Sequence, residues 1–147
     1  MSEGVEVHPC RNTVAFIGVL ATLGALLTAC GSQSIAGTYM SRDVSGVSIL
    51  SLKENGSAIS GTQTYTYLPE GATRTYTSTE KVAGTPASGH FALTFTDSVS
   101  RRSYSATMKN GNLVLTWPGH PGFIVTYARS SAAAAHAAVE KLDEQAH

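Results

Sequence analysis

Val47-Ser-Ile-Leu-Ser-Leu-Lys-Glu-Asn-Gly-Ser-Ala-Ile-Ser-Gly-Thr-Gln-Thr-Tyr-Thr-Tyr67 is the stretch whose reading decides the fold. Its second half alternates: Ile59, Gly61, Gln63, Tyr65 and Tyr67 share one parity, and serine or threonine fills most of the other. Period two is the repeat of a β-strand, whose successive side chains point to opposite faces. Val47 to Leu52 reads as a strand of the same kind. Between the two runs stands Asn55-Gly56. Asparagine and glycine tolerate the positive φ of tight hairpin turns, so the pair is the strongest short hairpin signal. The stretch therefore predicts two antiparallel strands.

The same pattern continues outward. Pro69-Glu70-Gly71 is a turn, and Ala72 to Val82 is a threonine-rich strand with a weak inner face. Phe91 to Phe95, Tyr104 to Met108 and Leu113 to Trp117 alternate again, the last two joined at Asn110-Gly111. Gly122 to Tyr127 is a last strand with Phe123-Ile124-Val125 at its centre. Ile35-Ala-Gly-Thr38 recurs as Val82-Ala-Gly-Thr85, each copy followed by an alternating strand and an Asn-Gly hairpin. This echo predicts two related blocks of about four strands. Short strands joined by tight turns remove their bare edges by closing. The expected fold is mainly β: a small antiparallel up-and-down barrel of about eight strands over residues 35–129.

The tail changes period. Ser130-Ser131 can cap a helix, and Ala132 to Gln145 is rich in helix formers. Ala135, Ala138, Val139 and Leu142 share one face at helical spacing. That narrow face has to pack on the barrel, because an isolated helix this short is unstable. The acids near its end oppose the helix dipole, which predicts a fraying last turn. Residues 130–147 are thus a C-terminal helix.

At the other end, Val14 to Leu27 is an uncharged apolar run preceded by Arg11. It is short of the roughly 20 residues that a transmembrane helix needs and has the length of a secretory signal core. Small residues and Cys30 follow, in the order Leu27-Thr28-Ala29-Cys30. Residues 1–29 read as a signal peptide. Glu3 and Glu6 are unusual in such a segment, and a start nearer Val5 or Val7 accounts for them.

Leu27-Thr28-Ala29-Cys30 resembles the bacterial lipobox at all four positions: an aliphatic residue, two small ones, then cysteine. The resemblance implies that the Cys30 sulfur takes a diacylglycerol and that a lipoprotein signal peptidase (type II) cuts before it. Two acyl chains give stable attachment. Cys10 is then lost with the leader, and the mature chain has no free thiol and no disulfide. Residues 30–34 form a tether; Gly31 to Ser34 reach about 14 Å at about 3.5 Å per residue. The implied location is the extracytoplasmic face of the cell membrane. Gly37-Thr38-Tyr39, an alternating strand, Asn-Gly and Ile59-Ser-Gly-Thr62 also resemble the opening of calycin-like barrels. The second block and the alanine-rich helix resemble a group of small actinobacterial lipoproteins with no assigned catalytic residues.

Composition narrows the function. The chain has 10 basic and 10 acidic residues. Without the leader it is near neutral, which argues against nucleic acid as a partner and gives no long-range steering. His90, His120, His136 and His147 are not paired at zinc-ligand spacing, so no metal or other cofactor is expected beyond the acyl lipid on Cys30. There is no Gly-x-Ser-x-Gly elbow and no glycine-rich phosphate loop. His120, in Trp117-Pro-Gly-His-Pro-Gly122, reads as a surface loop residue; a hydrolase would need it beside a carboxylate and a hydroxyl. Asp43, Glu54, Glu70 and Asp97 read as turn or solvated positions, Arg101-Arg102 as an exposed loop pair that can touch anionic lipid, and Thr62 to Thr79 as a solvated hairpin. No catalytic residue is assigned.

The aromatic residues remain. A barrel of eight strands either fills with its own side chains or holds one small ligand. Ile59, Phe91, Leu93, Phe95, Tyr104, Met108, Leu113, Leu115 and Trp117 point inward by parity and are bulky enough to fill it. A packed interior is the expectation. If a cavity exists, Tyr65, Phe91, Phe95, Tyr104 and Trp117 are the residues to line it. The expected function is a non-enzymatic binding or interaction module at the envelope, with an envelope membrane protein as partner; superinfection exclusion is one concrete form. The alternatives are a carrier of an apolar or glycolipid ligand, and an envelope hydrolase.

Overall fold

A computed structural model describes residues 34–120 and 122–146. The chain forms eight strands and one helix: β1 (Gly37–Arg42), β2 (Gly46–Asn55), β3 (Ala58–Tyr67), β4 (Tyr76–Ala87), β5 (His90–Thr96), β6 (Arg101–Lys109), β7 (Asn112–Thr116), β8 (Ile124–Ser130) and α1 (Ala132–Glu144). Every strand pairs antiparallel with its sequence neighbour, and β8 returns to β1 to close the barrel. The up-and-down barrel read from the alternation is what forms.

The two ends of the barrel differ. At one end the turns are two residues long, at 56–57, 88–89 and 110–111. Asn110 and Gly111 both take positive φ, 52° and 79°, the requirement of a type I′ turn. The first hairpin turns one residue later than Asn-Gly suggests: Asn55 still pairs with Ala58, and Gly56, at φ 60°, leads the turn. The described chain begins at this tight end, where Glu54 accepts hydrogen bonds from the Ser34 hydroxyl at 2.6 Å and the Ile35 N–H at 2.9 Å. The opposite end carries the longer connections, 43–45, 68–75, 97–100 and 117–123.

Apolar side chains fill the barrel toward the tight end. Ile35, Tyr39, Leu50, Leu52, Ile59, Val82, Leu93 and Leu113 are buried together there, and Phe95 and Leu115 continue the cluster toward the loop end. The Tyr39 hydroxyl donates to the Ile35 carbonyl at 2.9 Å, which satisfies a polar group that burial would otherwise penalise. Burial raises the Tyr39 pKa, and Arg129 nearby opposes the shift.

The Val-Ala-Gly-Thr echo has a packing reason instead of a block structure. Its copies sit at the start of β1 and within β4, and the Asn-Gly hairpins follow one strand later in the first case and two in the second. A third version, Ile59-Ser-Gly-Thr62, lies in β3. There the register is reciprocal: Ile59 faces Gly84, and Gly61 faces Val82. Leu52 and Leu93, the partners of these glycines on the outer sides, lie over them. A Cβ on Gly84 would stand 2.5 Å from the Ala92 carbonyl oxygen, and one on Gly61 would strike the Ser51 carbonyl. The glycines permit close backbone approach and tight curvature at two adjacent strands.

The helix lies along the outside of the barrel. Ser131 caps it, its hydroxyl accepting from the Ala134 N–H at 3.1 Å. Ala138 and Leu142 pack with Val139 against Val47, Met40, Ile49 and Leu68. These barrel residues have outward parity, and Thr66, across from Val47, is buried with them. Val47-Ser-Ile-Leu-Ser-Leu52 therefore has apolar side chains on both faces, Leu50 and Leu52 inward and Val47 and Ile49 under the helix. At the helix end Asp143 accepts from the Thr75 hydroxyl in the 68–75 loop. Among the described residues no helix is long and apolar enough to cross a membrane.

Candidate functional site

The packing stops short of the loop end. A cavity of about 330 Å³ lies there, lined by Gln63, Tyr65, Ser78, Glu80, Phe95, Arg102, Tyr104, Leu115, Phe123, Val125 and Tyr127. The expected solid interior is thus half correct. Parity explains the change. β3, β4 and β6 turn apolar residues inward near the tight end and polar ones nearer the mouth: Ile59 gives way to Gln63, Val82 to Glu80, and Ala106 to Arg102.

The floor of the cavity is a closed polar triangle. Gln63 Nε2 donates to Ser48 Oγ and to the Tyr127 hydroxyl, each at 2.8 Å, and those two oxygens share a third hydrogen bond of 2.8 Å. Burial dominates at Tyr127 and raises its pKa, opposed by the bonds from Ser48 and Gln63, so the phenol stays protonated.

Above the floor, Arg102 pairs with one carboxylate oxygen of Glu80, Oε1. The Glu80 side chain is only 12% exposed, whereas that of Arg102 is 42% exposed. Oε2 of Glu80 is buried and has no hydrogen-bond partner among the described residues. A buried carboxylate oxygen without a donor is costly and rare in native structures.

Aromatic rings form two walls. On one side Tyr65 stacks on Tyr67, centroids 5.4 Å apart, and Tyr67 on Tyr76 at 5.8 Å. On the other, Tyr104 lies 6.3 Å from Phe123 and 5.2 Å from Phe95. The five exposed large apolar side chains among the described residues also gather at this end: Val44, Tyr76, Val99, Phe123 and Ile124.

Two acids hold the surrounding loops. Asp97 accepts from the N–H groups of Val99 and Ser100 at 2.7 and 2.6 Å, bonds that lower its pKa. Partial burial opposes ionisation of Asp43, but hydrogen bonds from Ser45 and the Tyr65 hydroxyl outweigh it and lower the pKa.

Of the aromatic residues assigned to a cavity, the structure brings Tyr65, Phe95 and Tyr104 together. Phe91 instead borders a second hollow, about 310 Å³, beside Pro86, His90 and Met108 near the tight end. Trp117 does not line the cavity; it packs behind the rim against Tyr104, Phe123 and the His120 ring, 4.0 Å from the last. His120 is exposed on its loop, and its hydrogen bonds are made by its backbone. Among the described residues no three metal-ligating side chains cluster. Leu27, Thr28, Ala29 and Cys30 lie outside the described residues.

Arg102 corrects a reading: it belongs to β6 and points into the mouth, not to an exposed loop. Gln63 and Ser78 likewise face inward, with Tyr65, from a hairpin read as solvated. The last strand also starts later than expected, at Ile124, so Phe123 and Ile124 stand on the rim, 43% and 61% exposed, and not in the core. Similarly β4 spans Tyr76–Ala87, not residues 72–82, because residues 68–75 form a loop. Glu80 and Arg102 were legible in principle, since each shares parity with a core neighbour, Val82 and Tyr104. No family model, no curated protein and no solved structure matches the chain.

Proposed function

We propose that the chain is a lipid-anchored, non-enzymatic binding module of the bacterial envelope that holds a small ligand in the open mouth of its barrel. The observation that carries this reading is the mouth cavity with a buried, unpartnered carboxylate oxygen at Glu80. The anchor rests on Leu27-Thr28-Ala29-Cys30, whose match to a lipobox makes Cys30 the acylated residue. A lipid at Cys30 is a short tether away from Ser34, which lies at the tight end of the barrel. The mouth opens at the opposite end of the barrel from Ser34.

Native mass spectrometry of protein extracted gently from membranes tests both parts. Acylated Cys30 together with a noncovalent adduct that is lost in Tyr104→Ala is the expected result. A Cys30→Ser chain should lose the lipid mass and leave the membrane fraction. An unacylated wild-type chain overturns the anchor, and an adduct unaffected by changes in the mouth overturns the site.

The exposed apolar rim favours a second reading, docking of an envelope membrane protein. Exposed apolar side chains gathered at one end of a domain mark an interaction surface. A photo-crosslinker at Val99 that captures one membrane protein, and loses it when Ile124 becomes serine, supports this reading. Crosslinks to lipid alone count against it.

A further inference from the structure

We propose that the mouth cavity recognises a hydroxylated ring, the chemistry of a sugar residue. This rests on the mouth being a ligand site and specifies what that site takes.

Three features converge. The first is the unused acceptor: Glu80 Oε2 is buried and lacks a donor, while Oε1 is held by Arg102. A turn of the Glu80 carboxylate that brings Oε2 to the cavity surface lets a ligand hydroxyl supply the missing bond. The second is charge. Glu80 and Arg102 neutralise each other, so the site carries no net charge to attract an ion, yet it offers a charged acceptor and charged donors side by side. Hydrogen bonds to such groups are about twice as strong as neutral ones. A sugar ring, with donors and acceptors on adjacent carbons, meets both; a fatty chain meets neither and would leave the carboxylate buried without compensation. The third is the pair of aromatic walls. Tyr65 stands on β3, and Tyr104 and Phe123 come from β6 and the loop before β8. An aromatic face packs against the C–H face of a ring whose hydroxyls point sideways into the polar gap.

Size agrees. About 330 Å³ is at the small end of the roughly 300–1,000 Å³ typical of ligand pockets, suited to one ring and not to a long acyl chain. The floor contributes little donor capacity of its own, because Gln63, Ser48 and Tyr127 spend their hydrogen bonds on each other. Selectivity therefore falls to Glu80, Arg102 and the Ser78 hydroxyl beside them. A free sugar, the end of a wall glycan and the headgroup of a glycolipid share this chemistry.

The test uses the full chain in phosphatidylcholine nanodiscs, since alkyl-glycoside detergents would themselves be ligands. Saturation-transfer NMR is recorded with methyl glucoside, methyl mannoside, methyl galactoside and N-acetylglucosamine, and with betaine and octanoate as a cationic and an apolar probe. The expected result is transfer to the ring protons of at least one glycoside, with affinity falling about tenfold or more in Glu80→Gln. Phe123→Ala, at the half-exposed rim, should weaken the same glycoside while the protein still unfolds cooperatively with only a small drop in midpoint, which covers the case where Glu80→Gln does not fold. Competition by nanodiscs doped with a glucosyl diacylglycerol separates a lipid-borne sugar from a free one. If octanoate or betaine binds in a Phe123-dependent manner and no glycoside does, the sugar assignment is wrong and the mouth remains a ligand site. If none of the probes binds and the extracted protein carries no adduct, both readings fall.

Discussion

Gly61 shows how much one absent methyl can matter. Its ideal Cβ would collide with the Ser51 carbonyl, a backbone atom that cannot swing away as a side chain would. Overpacking a tight interior costs roughly 1–3 kcal/mol, and a backbone clash lies at the upper end or beyond. Gly61→Ala should therefore lower the stability by about 2–4 kcal/mol, read as a lower urea midpoint. Gly56→Ala meets open space but takes a strained φ of 60°, so it should cost less. Equal losses at the two positions would show that curvature at β3 is not what Gly61 supplies. At the same scale, Glu80 departs from the usual rule that an acid stays in water. The parity of the strand carries it inward with Val82, and Arg102 arrives by the same logic from β6.

The elements were readable where one physical signal ruled them. Alternation specified β3, β5, β6 and β7 because in each the bulky residues recur at one parity. It was less informative for β2, where the helix covers the outer face and apolar residues appear at both parities. The polar half of the interior hid for a related reason. A threonine-rich run with Gln63, Ser78 and Glu80 looks solvated until closure of the barrel turns one of its faces inward. Phe123-Ile124-Val125 misled in the opposite sense, since an apolar triplet reads as core wherever it falls. The helix was legible, and its stability rests on the face it buries. Leu142→Ala should cost about 2–4 kcal/mol by removing a buried side chain over Val47, visible as a lower melting temperature. An unchanged melting temperature would mean that the helix adds nothing to the fold.

The mouth loops carry their own pH dependence. The folded pKa values of Asp97 and Asp43 are lowered. Their stabilisation is therefore present above the ordinary carboxylate range and is lost as pH falls through the depressed values. The amides of Val99 and Ser100 should lose protection on acidification before the strands do, as hydrogen exchange followed by NMR would reveal. In Asp97→Asn the early loss at these two amides should be absent. Protection that fades with the same pH profile in both proteins would show that the acid does not hold the loop.

The barrel is a meander with one sequence-distant strand pairing. Each strand from β1 to β8 pairs with its sequence neighbour, and among the described residues the β1–β8 seam is the one ladder that joins strands far apart in the chain. That seam is short, with Thr38, Tyr39 and Met40 facing Ser130, Arg129 and Ala128. Arg129 reinforces it: its guanidinium donates to the Ala36 carbonyl at 2.9 Å and lies over the Tyr39 ring, 5.7 Å from the centroid. Amide exchange should accordingly be faster on the seam side of β1 than on its β2 side, and Arg129→Ala should widen the difference. Uniform exchange around the barrel would contradict this.

The seam also sets an order in time. As the chain emerges into the compartment where it folds, N-terminal part first, each hairpin can form as soon as its second strand appears, because its partner is already next to it. The first strand has one partner at once and must wait for the other until residue 130 has emerged. Throughout that interval its free edge can recruit a strand from another chain. Long-range pairing is also the slow step in folding such topologies. The most vulnerable moment for this protein is therefore set by the arrival of β8, and a chain shortened just before β8 would keep most of its native pairings yet never lose its sticky edge.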